Sequence, residues 1–297
     1  MKKDVTQLKS EIRDWWASAP MTYAEDHGTT LYHLPDGAVE RVEIGSRRFF
    51  ELADRTFYRW NEPLRGEEGP FGRIFDYRRY SGMPVLEIGC GMGCMAMNWA
   101  QRGARVTAVD LNPVAVAQTR RRFELFGLTG DVREVDGETL PFDDASFQFA
   151  YSWGVLHHTP GIAKAIAELF RVLAPGGEIG LMLYNRNSVL YRYSIAFQEG
   201  AVNGERLFLD ELELASRYGD GAREEGNPHT WPVTEREVRR DLMPMFNDLN
   251  IQVFGTDVPD LLNTWFPRLS SYMTSGMIKA VARRWGWSLW ITGRKPA

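Results

Sequence analysis

Cysteine is nearly absent from this chain of 297 residues, which has two, Cys90 and Cys94. Two thiols cannot build a disulfide framework, and alone they fall short of the ligand set of a structural zinc site. We therefore expect no metal site and a reducing compartment, the cytoplasm.

Long apolar runs are also missing. No stretch of about 18 apolar residues occurs, which is the length that predicts a membrane-spanning helix. The chain starts with Met1-Lys2-Lys3-Asp4 and continues into a polar helical pattern rather than the apolar core of a signal peptide. The sequence therefore predicts neither a membrane span nor a secretory signal.

An excess of positive charge is missing as well. Lys and Arg number 35 against 39 Asp and Glu, giving a net charge of -4 and a pI near 5.8. Such a balance argues against a nucleic-acid partner, whose binding proteins usually carry a basic face. Hydrophobic residues at 44% and charged residues at 25% are ordinary for a globular protein, and the length suits one α/β domain with additions or two small domains.

The most informative stretch is a glycine-rich loop directly after a short apolar run. Met83 to Ile88 predicts a buried strand, and Gly89, Gly91 and Gly93 follow it at once. Without Cβ atoms the backbone can turn sharply and approach a ligand closely. The helical pattern that comes next would point its free N–H groups at that ligand.

The spacing of these glycines distinguishes between ligands. A dinucleotide fingerprint reads G-x-G-x-x-G, whereas here the third glycine comes one residue early and Cys94 stands in the last position. Glu87, just before the loop, would repel a pyrophosphate but attract a cationic amino group. The loop favours a ligand with an amino-acid-like end, although a turn without any ligand stays open.

Strand and helix patterns alternate between residues 83 and 185, which is typical of an α/β fold with a parallel sheet. The strands predicted after the first are Arg105–Asp110, Asp131–Asp136, Phe147–Trp153 and Glu178–Tyr184. Asn112-Pro113 and Thr159-Pro160 each combine a cap residue with a proline, and each predicts the start of a helix.

Additions flank this core on both sides. Residues 4–18 and a segment capped by Ser46 predict two helices, while 20–45 have no regular pattern. We interpret 1–82 as an N-terminal helical cap or lid and 83–297 as the main domain, with 186–248 as an inserted lid or substrate segment.

The C-terminal part of the chain completes the expected sheet. Thr234-Glu235-Arg236-Glu237 is a capping box and predicts a helix inside the inserted segment. After it, Asn250–Thr256 and Gly286–Arg294 predict two further strands. Residues 258–285 between them predict a loop and a helix.

Two acidic residues end predicted strands, where ligands of open α/β sheets bind. Asp110 follows the second strand and can accept hydrogen bonds from both hydroxyls of a ribose, because Asn112 is the better cap for the next helix. Asp136-Gly137 follows the third strand and can bind the amine of an adenine. A turn aspartate before glycine is an equal interpretation of that pair.

Two histidines follow the fourth strand in the run Ser152-Trp153-Gly154-Val155-Leu156-His157-His158-Thr159. Histidine has an ordinary pKa of about 6.5, which suits proton removal at neutral pH. A histidine here can also simply cap the following helix or line a cavity, and both interpretations stay open.

These motifs, together with the turn Leu173-Ala174-Pro175-Gly176-Gly177, resemble in order and spacing those of the class I S-adenosylmethionine-dependent methyltransferases. Small-molecule members related to the ubiquinone-biosynthesis enzymes are the most similar. The resemblance implies a Rossmann-like sheet of seven strands, with the last strand, Trp287–Arg294, antiparallel between the fifth and the sixth.

The resemblance also implies S-adenosyl-L-methionine as the cofactor, S-adenosyl-L-homocysteine as its product and a small-molecule methyl acceptor. Its motifs, carried over by position, give as cofactor-binding residues Glu87, Gly89, Cys90, Gly91, Gly93, Asp110, Leu111, Asp136, Gly137, Ser152 and Trp153. An acid that some members carry after the fourth strand is absent, and Gly154 stands there. His158, then His157, and Tyr23 in the N-terminal segment are therefore the candidate catalytic residues.

Substrate recognition lies outside the conserved motifs of such enzymes, so its candidates are individually weak. They are Tyr184, Asn185, His229, Trp231 and Arg47, the last beside Arg48 in what can equally be a solvated pair. The large aromatic-rich additions favour a bulky or apolar acceptor, such as an isoprenoid or a natural-product intermediate.

Two other functions compete with methyl transfer. One is a dinucleotide-dependent oxidoreductase, which the glycine spacing disfavours. The other is a methyltransferase-like protein that binds the cofactor without transferring the methyl group. The sequence leaves the acceptor atom and the oligomeric state open, a homodimer included.

Overall fold

The computed structural model describes residues 4–18, 29–34, 37–219, 226–255 and 257–297. Tyr23 lies outside these described residues, so its catalytic role stays a prediction. None of the helices in the described ranges has both the length and the apolar character needed to cross a bilayer.

The described residues form nine strands. They are β1 (Thr29–His33), β2 (Val39–Glu43), β3 (Pro84–Ile88), β4 (Arg105–Asp110), β5 (Asp131–Glu134), β6 (Phe147–Trp153), β7 (Leu173–Tyr184), β8 (Asn247–Phe254) and β9 (Ser288–Arg294). The last seven build one sheet in the order β5-β4-β3-β6-β7-β9-β8, and β1 and β2 pair separately. The predicted seven-stranded α/β sheet is thereby confirmed.

The helices are α1 (Val5–Ser18), α2 (Arg47–Trp60), α3 (Cys94–Gln101), α4 (Pro113–Phe126), α5 (Ile162–Val172), α6 (Glu211–Tyr218), α7 (Glu235–Glu237), α8 (Val258–Trp265), α9 (Pro267–Tyr272) and α10 (Ser275–Trp285). Two π-helical segments, Leu190–Val202 and Val238–Leu242, accompany them. Short 3₁₀ turns cover Glu62–Leu64, Leu156–His158 and Glu205–Leu207.

Strand direction follows the expected pattern. β4 pairs in parallel with β3 and with β5, and the buried residues of β3 form an almost unbroken apolar run, as strands covered on both faces require. β9 runs antiparallel to β7 on one side and to β8 on the other. The implied antiparallel last strand is thus confirmed.

Two compact units make up the described chain. The N-terminal unit comprises Arg13–Phe142 and Ser146–Ala150, and the C-terminal unit comprises the remainder. The core of the N-terminal unit centres on the fully buried Trp99, whose ring lies 4.6 Å from that of Tyr77 and 5.3 Å from that of Phe149. Burial of such large rings supplies much of the stability of a core.

The N-terminal unit also contains a buried ion pair between two helices. Both oxygens of Asp54 on α2 accept from Arg122 of α4 at 2.7 and 2.8 Å, and the guanidinium lies 4.5 Å from the Phe50 ring. Ser46 caps α2 by accepting from the N–H of Phe49, as predicted. The pair thereby links α2 to α4.

The C-terminal unit has its own apolar cluster. Tyr191 and Ile195 of the first π-helical segment pack with Leu214 and Ala215 of α6 and with Trp287. The predicted capping box at Thr234 is confirmed, since Thr234 accepts from the Glu237 N–H at 3.2 Å and Glu237 accepts from the Thr234 N–H at 2.7 Å. The helix it starts continues as the second π-helical segment.

Three expectations about local structure were wrong. Residues 20–45 include a hairpin, because Thr29–His33 and Val39–Glu43 pair around a turn that Gly37 closes at a φ of 85°. Residues 258–285 form three helices rather than one, interrupted at Phe266 and at Met273-Thr274. Helix α5 begins at Ile162 rather than at Pro160, because a 3₁₀ turn over Leu156–His158 precedes it.

Candidate functional site

The glycine loop is built by backbone geometry that only glycine adopts readily. Gly89, Gly91 and Gly93 have φ angles of 80°, 53° and 73°, all in the left-handed region. The N–H groups of Gly89 and Cys90 both donate to the carbonyl oxygen of Val109, at 2.7 and 3.1 Å. The loop is therefore tied to the end of β4 before α3 begins.

Close packing adds a second reason for glycine at position 93. A Cβ on Gly93 would lie 2.8 Å from Cγ2 of Thr119, a residue of α4 that is fully buried. The Thr119 hydroxyl donates to the carbonyl of Gly91 at 2.9 Å and so clamps the loop from the other side. Sequence reasoning missed Thr119, because nothing around it on α4 signals this contact.

Asp110 lies where the sequence predicted it, at the carboxyl end of β4. Its Oδ2 accepts from the Gly91 N–H and its Oδ1 from the Asn112 N–H, both at 2.9 Å. Burial raises the pKa of this carboxyl, and the N–H groups of Asn112, Gly91 and Leu111 oppose the rise. Asn112 caps α4 with its own side chain at 2.8 Å, so the cap does not occupy Asp110.

Two further carboxylates lie at the carboxyl ends of the neighbouring strands. Glu87 is buried on β3, opposite Ala108 in the register of β3 and β4. Asp136 follows β5 and accepts from the Glu138 N–H at 2.9 Å. A Cβ on Gly137 would lie 3.0 Å from Ile88, so a larger residue would press on the end of β3.

The two thiols of the loop are held in their neutral form. Burial raises the pKa of Cys90 well above its ordinary value, and the nearby Asp110 and Glu87 add to the rise. Burial does the same to Cys94, followed by the charge of Asp54. Neither thiol is therefore activated as a nucleophile, and Cys90 contributes to the loop by its backbone and by filling space.

This set of groups fits S-adenosylmethionine. Carboxylates held by backbone N–H groups at the ends of β4 and β5 can accept from ribose hydroxyls and from an adenine amine, and the buried Glu87 offers a negative charge to an ammonium group. Within the described ranges no three metal-ligating side chains converge, so nothing there competes as a metal centre.

The histidine pair lies in the C-terminal unit, in the 3₁₀ turn after β6. Both His157 and His158 are buried, with ring centroids 4.3 Å apart. The segment Asn227–Trp231 packs on this turn, and the N–H of Trp231 donates to the His157 carbonyl at 2.8 Å. The predicted residues His158, His157, His229 and Trp231 are thus brought together.

The contacts of His158 define its tautomer. Its Nδ1 lies 2.9 Å from the carbonyl oxygen of His229, which can only accept, so Nδ1 must carry the proton. The hydroxyl of Thr230 lies 3.1 Å from the same Nδ1 and gives its own hydrogen to Asn227 Oδ1 at 2.8 Å. In the neutral ring the basic lone pair is therefore on Nε2.

The residues that orient Thr230 were also missed. The Thr230 N–H donates to the hydroxyl of Ser216 at 2.8 Å, and Asn227 also accepts from the His229 N–H at 3.0 Å. The polar run Gly226-Asn227-Pro228 is a visible turn signal in the sequence. Ser216, in the middle of α6, gives no such signal.

His157 has a different environment from its neighbour. Its ring lies on that of Tyr184, with centroids 3.7 Å apart and an angle of 31° between planes. Among the described residues neither ring nitrogen of His157 has a hydrogen-bond partner. Burial lowers its pKa well below 6.5, and the neighbouring His158 and His229 lower it further, so the ring is neutral.

The other predicted substrate residues of this unit occupy the surroundings of the pair. Tyr184 also stacks on Trp287, with centroids 4.4 Å apart. Asn185 uses its side chain on the backbone, donating to Gly286 and accepting from Asn187, both at 2.9 Å. Trp231 lies under the guanidinium of Arg186 at 4.6 Å.

The remaining predicted residues of the C-terminal unit are Ser152 and Trp153. Both end β6, where Ser152 is buried and the Trp153 ring lies 5.6 Å from that of Trp290. Gly154 follows with a φ of 73°, which turns the chain toward the histidines.

Arg47 belongs to the N-terminal unit. Its guanidinium donates to the carbonyl of Leu125 at the end of α4 and lies 4.3 Å from the Phe126 ring. Its neighbour Arg48 pairs with both oxygens of Glu40, at 2.8 and 2.6 Å. These contacts show a structural use for both arginines.

Comparison with known proteins agrees with this geometry. A family model described as a methyltransferase domain matches residues 85–177. The ubiquinone biosynthesis O-methyltransferase of Pseudomonas aeruginosa (strain UCBPP-PA14) is 32% identical over 161 residues, which are 53% of this chain and 68% of that protein. The protein of the same name from Pseudomonas fluorescens (strain Pf0-1) is 33% identical over 167 residues, which cover 54% and 70%.

The fold is also found among solved structures. A SAM-dependent methyltransferase from Methanosarcina mazei superimposes on 72% of this chain and 92% of its own, with a TM-score of 0.51 and 22% identity. The oxidoreductase alternative receives no support from these matches. The extent and identity of the Pseudomonas matches, together with the glycine loop and Asp110, place the chain in the class I S-adenosylmethionine-dependent methyltransferases, with S-adenosylmethionine as its cofactor.

Proposed function

We propose that this enzyme methylates a hydroxyl oxygen of a bulky, largely apolar small molecule, with His158 as the general base. The two Pseudomonas relatives are O-methyltransferases by name, which supports oxygen as the acceptor atom. Aromatic residues near the histidines, namely Tyr184, Trp231 and Trp287, support an apolar acceptor.

The observation that carries the base assignment is the contact between His158 Nδ1 and the carbonyl of His229. Because that contact uses the Nδ1 proton, Nε2 holds the lone pair that can accept the proton of a hydroxyl. The Thr230 hydroxyl at the same nitrogen helps to hold the ring in this orientation. A base positioned in this way suits an acceptor that must lose a proton as it is methylated.

The chemistry needs little else from the chain. The sulfonium of the bound cofactor supplies a methyl group that is already activated, so no covalent nucleophile is needed. His158 Nε2 would accept the hydroxyl proton as the oxygen takes the methyl group and the bond from that methyl group to sulfur breaks, which would release S-adenosylhomocysteine as a neutral thioether. The imidazolium would later give its proton to water. The protein must also hold the acceptor in line, which is an orientation effect worth several kcal/mol.

His157 is poorly suited to act as the base. Its burial lowers its pKa well below 6.5, so it binds a proton only weakly at neutral pH. Its ring packs against that of Tyr184 on one side and lies 4.3 Å from that of His158. We assign His157 a packing role and His158 the chemical one.

Water must be kept from the reacting atoms, and we assign this to the additions. The N-terminal cap of residues 1–82 and the inserted segment 186–248 are the proposed lids. The insert supplies His229, Thr230 and Trp231, which contact the histidine turn directly. Tyr184 and Trp231 are the proposed acceptor contacts, with Tyr23 and Asn185 as weaker candidates.

The test is a screen of phenols and alcohols with apolar side chains, using labelled methyl from S-adenosylmethionine, followed by His158→Ala. We expect the variant to lose about 10²- to 10⁴-fold in kcat while its affinity for S-adenosylhomocysteine is unchanged. His33→Ala, which removes an exposed histidine of β1, is the matched control.

Two results would contradict parts of this proposal. Full turnover in His158→Ala would remove the general base and favour an acceptor that binds already deprotonated or neutral. Methylation of amines or thiols but of no hydroxyl compound would overturn the acceptor assignment.

A further inference from the structure

Charge is distributed unevenly along this acidic chain. From residue 261 to the C-terminus there is no Asp or Glu, whereas six Lys and Arg occur there in a chain of net charge -4. Four of these cations lie on α9 and α10, namely Arg268, Lys279, Arg283 and Arg284, and all four are exposed. Helices α9 and α10 therefore present one sign of charge, and Asp260 is the one acidic residue on α8.

These cations also lack the ion pairs that other surface arginines make. Arg133 pairs with Asp131 and Arg240 pairs with Asp241, each within 2.7 Å. In the described ranges no acidic side chain pairs with Arg268, Lys279 or Arg283. Their charge is thus available to an outside partner.

Large apolar side chains are exposed on the same helices. Trp265, Leu269, Tyr272, Met277 and Trp285 are 39%, 55%, 85%, 51% and 43% exposed. Neither α9 nor α10 contains a single buried residue among those described. Helices of a globular domain normally bury an apolar stripe, whereas these two leave much of their apolar surface exposed.

The apolar surface continues onto a neighbouring element. The Tyr193 ring of the first π-helical segment lies 6.2 Å from that of Trp265 and 4.8 Å from that of Phe266. Phe197, 52% exposed, lies 5.9 Å from Tyr193 on the other side. The aromatic rings thus form a connected surface and not scattered single residues.

We propose that this α8–α10 surface binds the face of an anionic lipid bilayer. Aromatic and aliphatic side chains flanked by Lys and Arg are the composition of segments that lie in a membrane interface. The apolar side chains would enter the headgroup boundary while the cations contact lipid phosphates. Since no described helix can cross a bilayer, the contact is peripheral.

A second copy of the chain fits this surface less well. In a symmetric dimer the same patch would face itself. Four cations, Arg268, Lys279, Arg283 and Arg284, would then meet like charges, with only Asp260 on these helices to balance them. An anionic bilayer instead offers negative charge and apolar depth together. The proposal concerns binding, and it does not depend on which acceptor is methylated.

The test is co-sedimentation of the full-length protein with vesicles. One set contains phosphatidylcholine alone and another contains about 30 mol% phosphatidylglycerol. We expect binding to the anionic vesicles alone, and at least a tenfold fall in the partition coefficient in Lys279→Gln/Arg283→Gln/Arg284→Gln, since each cation contributes about fivefold. Raising salt from about 0.1 M to about 0.5 M should weaken binding in the same direction.

Matched variants test whether binding depends on this surface or only on the net charge and on exposed apolar residues anywhere in the protein. Arg13→Gln/Arg133→Gln/Arg240→Gln changes the net charge equally but lies outside the three helices, and it should bind within twofold of the native protein. Leu269→Ser/Tyr272→Ser should weaken binding. Leu207→Ser/Phe208→Ser alters apolar residues elsewhere that are at least as exposed, at 82% and 85%, and should not weaken it. Circular dichroism checks that every variant is folded.

Three outcomes would overturn the proposal. The first is no binding of the folded native protein to anionic vesicles, and the second is an equal loss of binding in the control triple variant. The third is a dimer in light scattering that Leu269→Ser/Tyr272→Ser dissociates while vesicles are not bound, which would assign the surface to a second copy.

Discussion

The glycine-loop region and the histidine region both hold a polar group in place, but over very different distances along the chain. Asp110 accepts from the Asn112 and Gly91 N–H groups, 2 and 19 residues away. His158 is held by the His229 carbonyl and the Thr230 hydroxyl, 71 and 72 residues away. The first site is formed within one continuous stretch, from β3 through the loop and α3 to the residues just after β4. The second requires the inserted segment 186–248 to pack on the turn after β6.

Burial disfavours the charged form of a side chain in both regions, but only one region has hydrogen bonds that oppose this effect. It raises the pKa of Asp110 and lowers that of His157, and so disfavours the charged form of each. Asp110 receives three backbone N–H groups that oppose this effect, whereas no described group offers His157 a hydrogen bond. The carboxylate proposed to bind the ribose hydroxyls thus has N–H groups that favour its charged form, while His157 lacks such groups and is neutral.

The largest expected effect follows from removing the supported carboxylate. Asp110→Ala should weaken S-adenosylhomocysteine binding at least about a hundredfold, because hydrogen bonds from two ribose hydroxyls to a charged group are lost, worth about 3 kcal/mol together. Isothermal titration calorimetry measures this change in affinity. The substitution should leave the histidine region intact, so the ring signals of His158 in NMR should not move.

The control for this variant is Asp131→Ala, which removes a carboxylate from the opposite end of the neighbouring strand β5. It should bind the cofactor product as the native protein does. Unchanged affinity in Asp110→Ala would show that other residues bind the ribose, and Asp110 would then not be the functional carboxylate of the glycine-loop region.

The second effect concerns the backbone of the glycine loop. Gly93→Ala should lower the free energy of unfolding by about 3 kcal/mol, because a left-handed φ costs an alanine 1–2 kcal/mol and its Cβ would press on Thr119. Gly127→Ala is matched in φ, at 64°, but its Cβ would meet nothing within 4 Å. It should cost only about 1 kcal/mol.

Urea unfolding of both glycine variants measures the difference. Equal losses would mean that the Thr119 contact yields to a methyl group at no cost, and the loop would then be specified by φ angles alone.

The same contrast explains what could be predicted from the sequence. The glycine loop, Asp110 and the capping roles of Ser46, Asn112 and Thr234 depend on residues a few positions apart, so their patterns are legible in the chain. The antiparallel β9 between β7 and β8 came from the family resemblance and not from any local pattern.

What was missed depends on contacts between distant residues or on weak local patterns. Thr230, Ser216 and Thr119 act through partners on other elements, and no spacing rule points to them. The hairpin β1–β2 was missed because its strands are short and mostly polar, which weakens the alternation that marks a strand. The three short helices α8 to α10 were missed because the interruptions at Phe266 and Met273 carry no local signal that separates them from a longer loop.

A third prediction tests the distant support of the histidine region. Thr230→Val keeps the volume of the side chain but removes the hydroxyl at His158 Nδ1, a hydrogen bond worth about 1 kcal/mol. We expect kcat to fall about fivefold with KM unchanged, because the ring is held less well for proton removal. Steady-state kinetics over a range of pH separates this effect from a change in acceptor binding.

Thr264→Val, at an exposed position of α8, is the matched control and should leave kcat unchanged. A rise in KM with full kcat in Thr230→Val would assign the hydroxyl to substrate binding. Nitrogen-15 NMR of the native protein should show the proton of His158 on Nδ1, and a proton on Nε2 would contradict the tautomer on which the base assignment depends.

The smallest effect should come from the unsupported histidine. His157 has a lowered pKa in the folded state, so below pH 6.5 the unfolded chain binds a proton that the folded chain does not, and stability falls as pH falls. Between pH 7.5 and pH 6 this loss is about 0.8 kcal/mol. His157→Phe retains a flat ring against Tyr184 and should abolish that part of the acid sensitivity, as measured by urea unfolding at both pH values.

The control is His33→Gln, which removes an exposed histidine instead and should leave the acid sensitivity of the native protein unchanged. If His157→Phe is as acid-sensitive as the native protein, His157 takes up its proton in the folded state. The histidine region would then accommodate a buried charge without hydrogen bonds to it, whereas Asp110 has three N–H groups for that purpose.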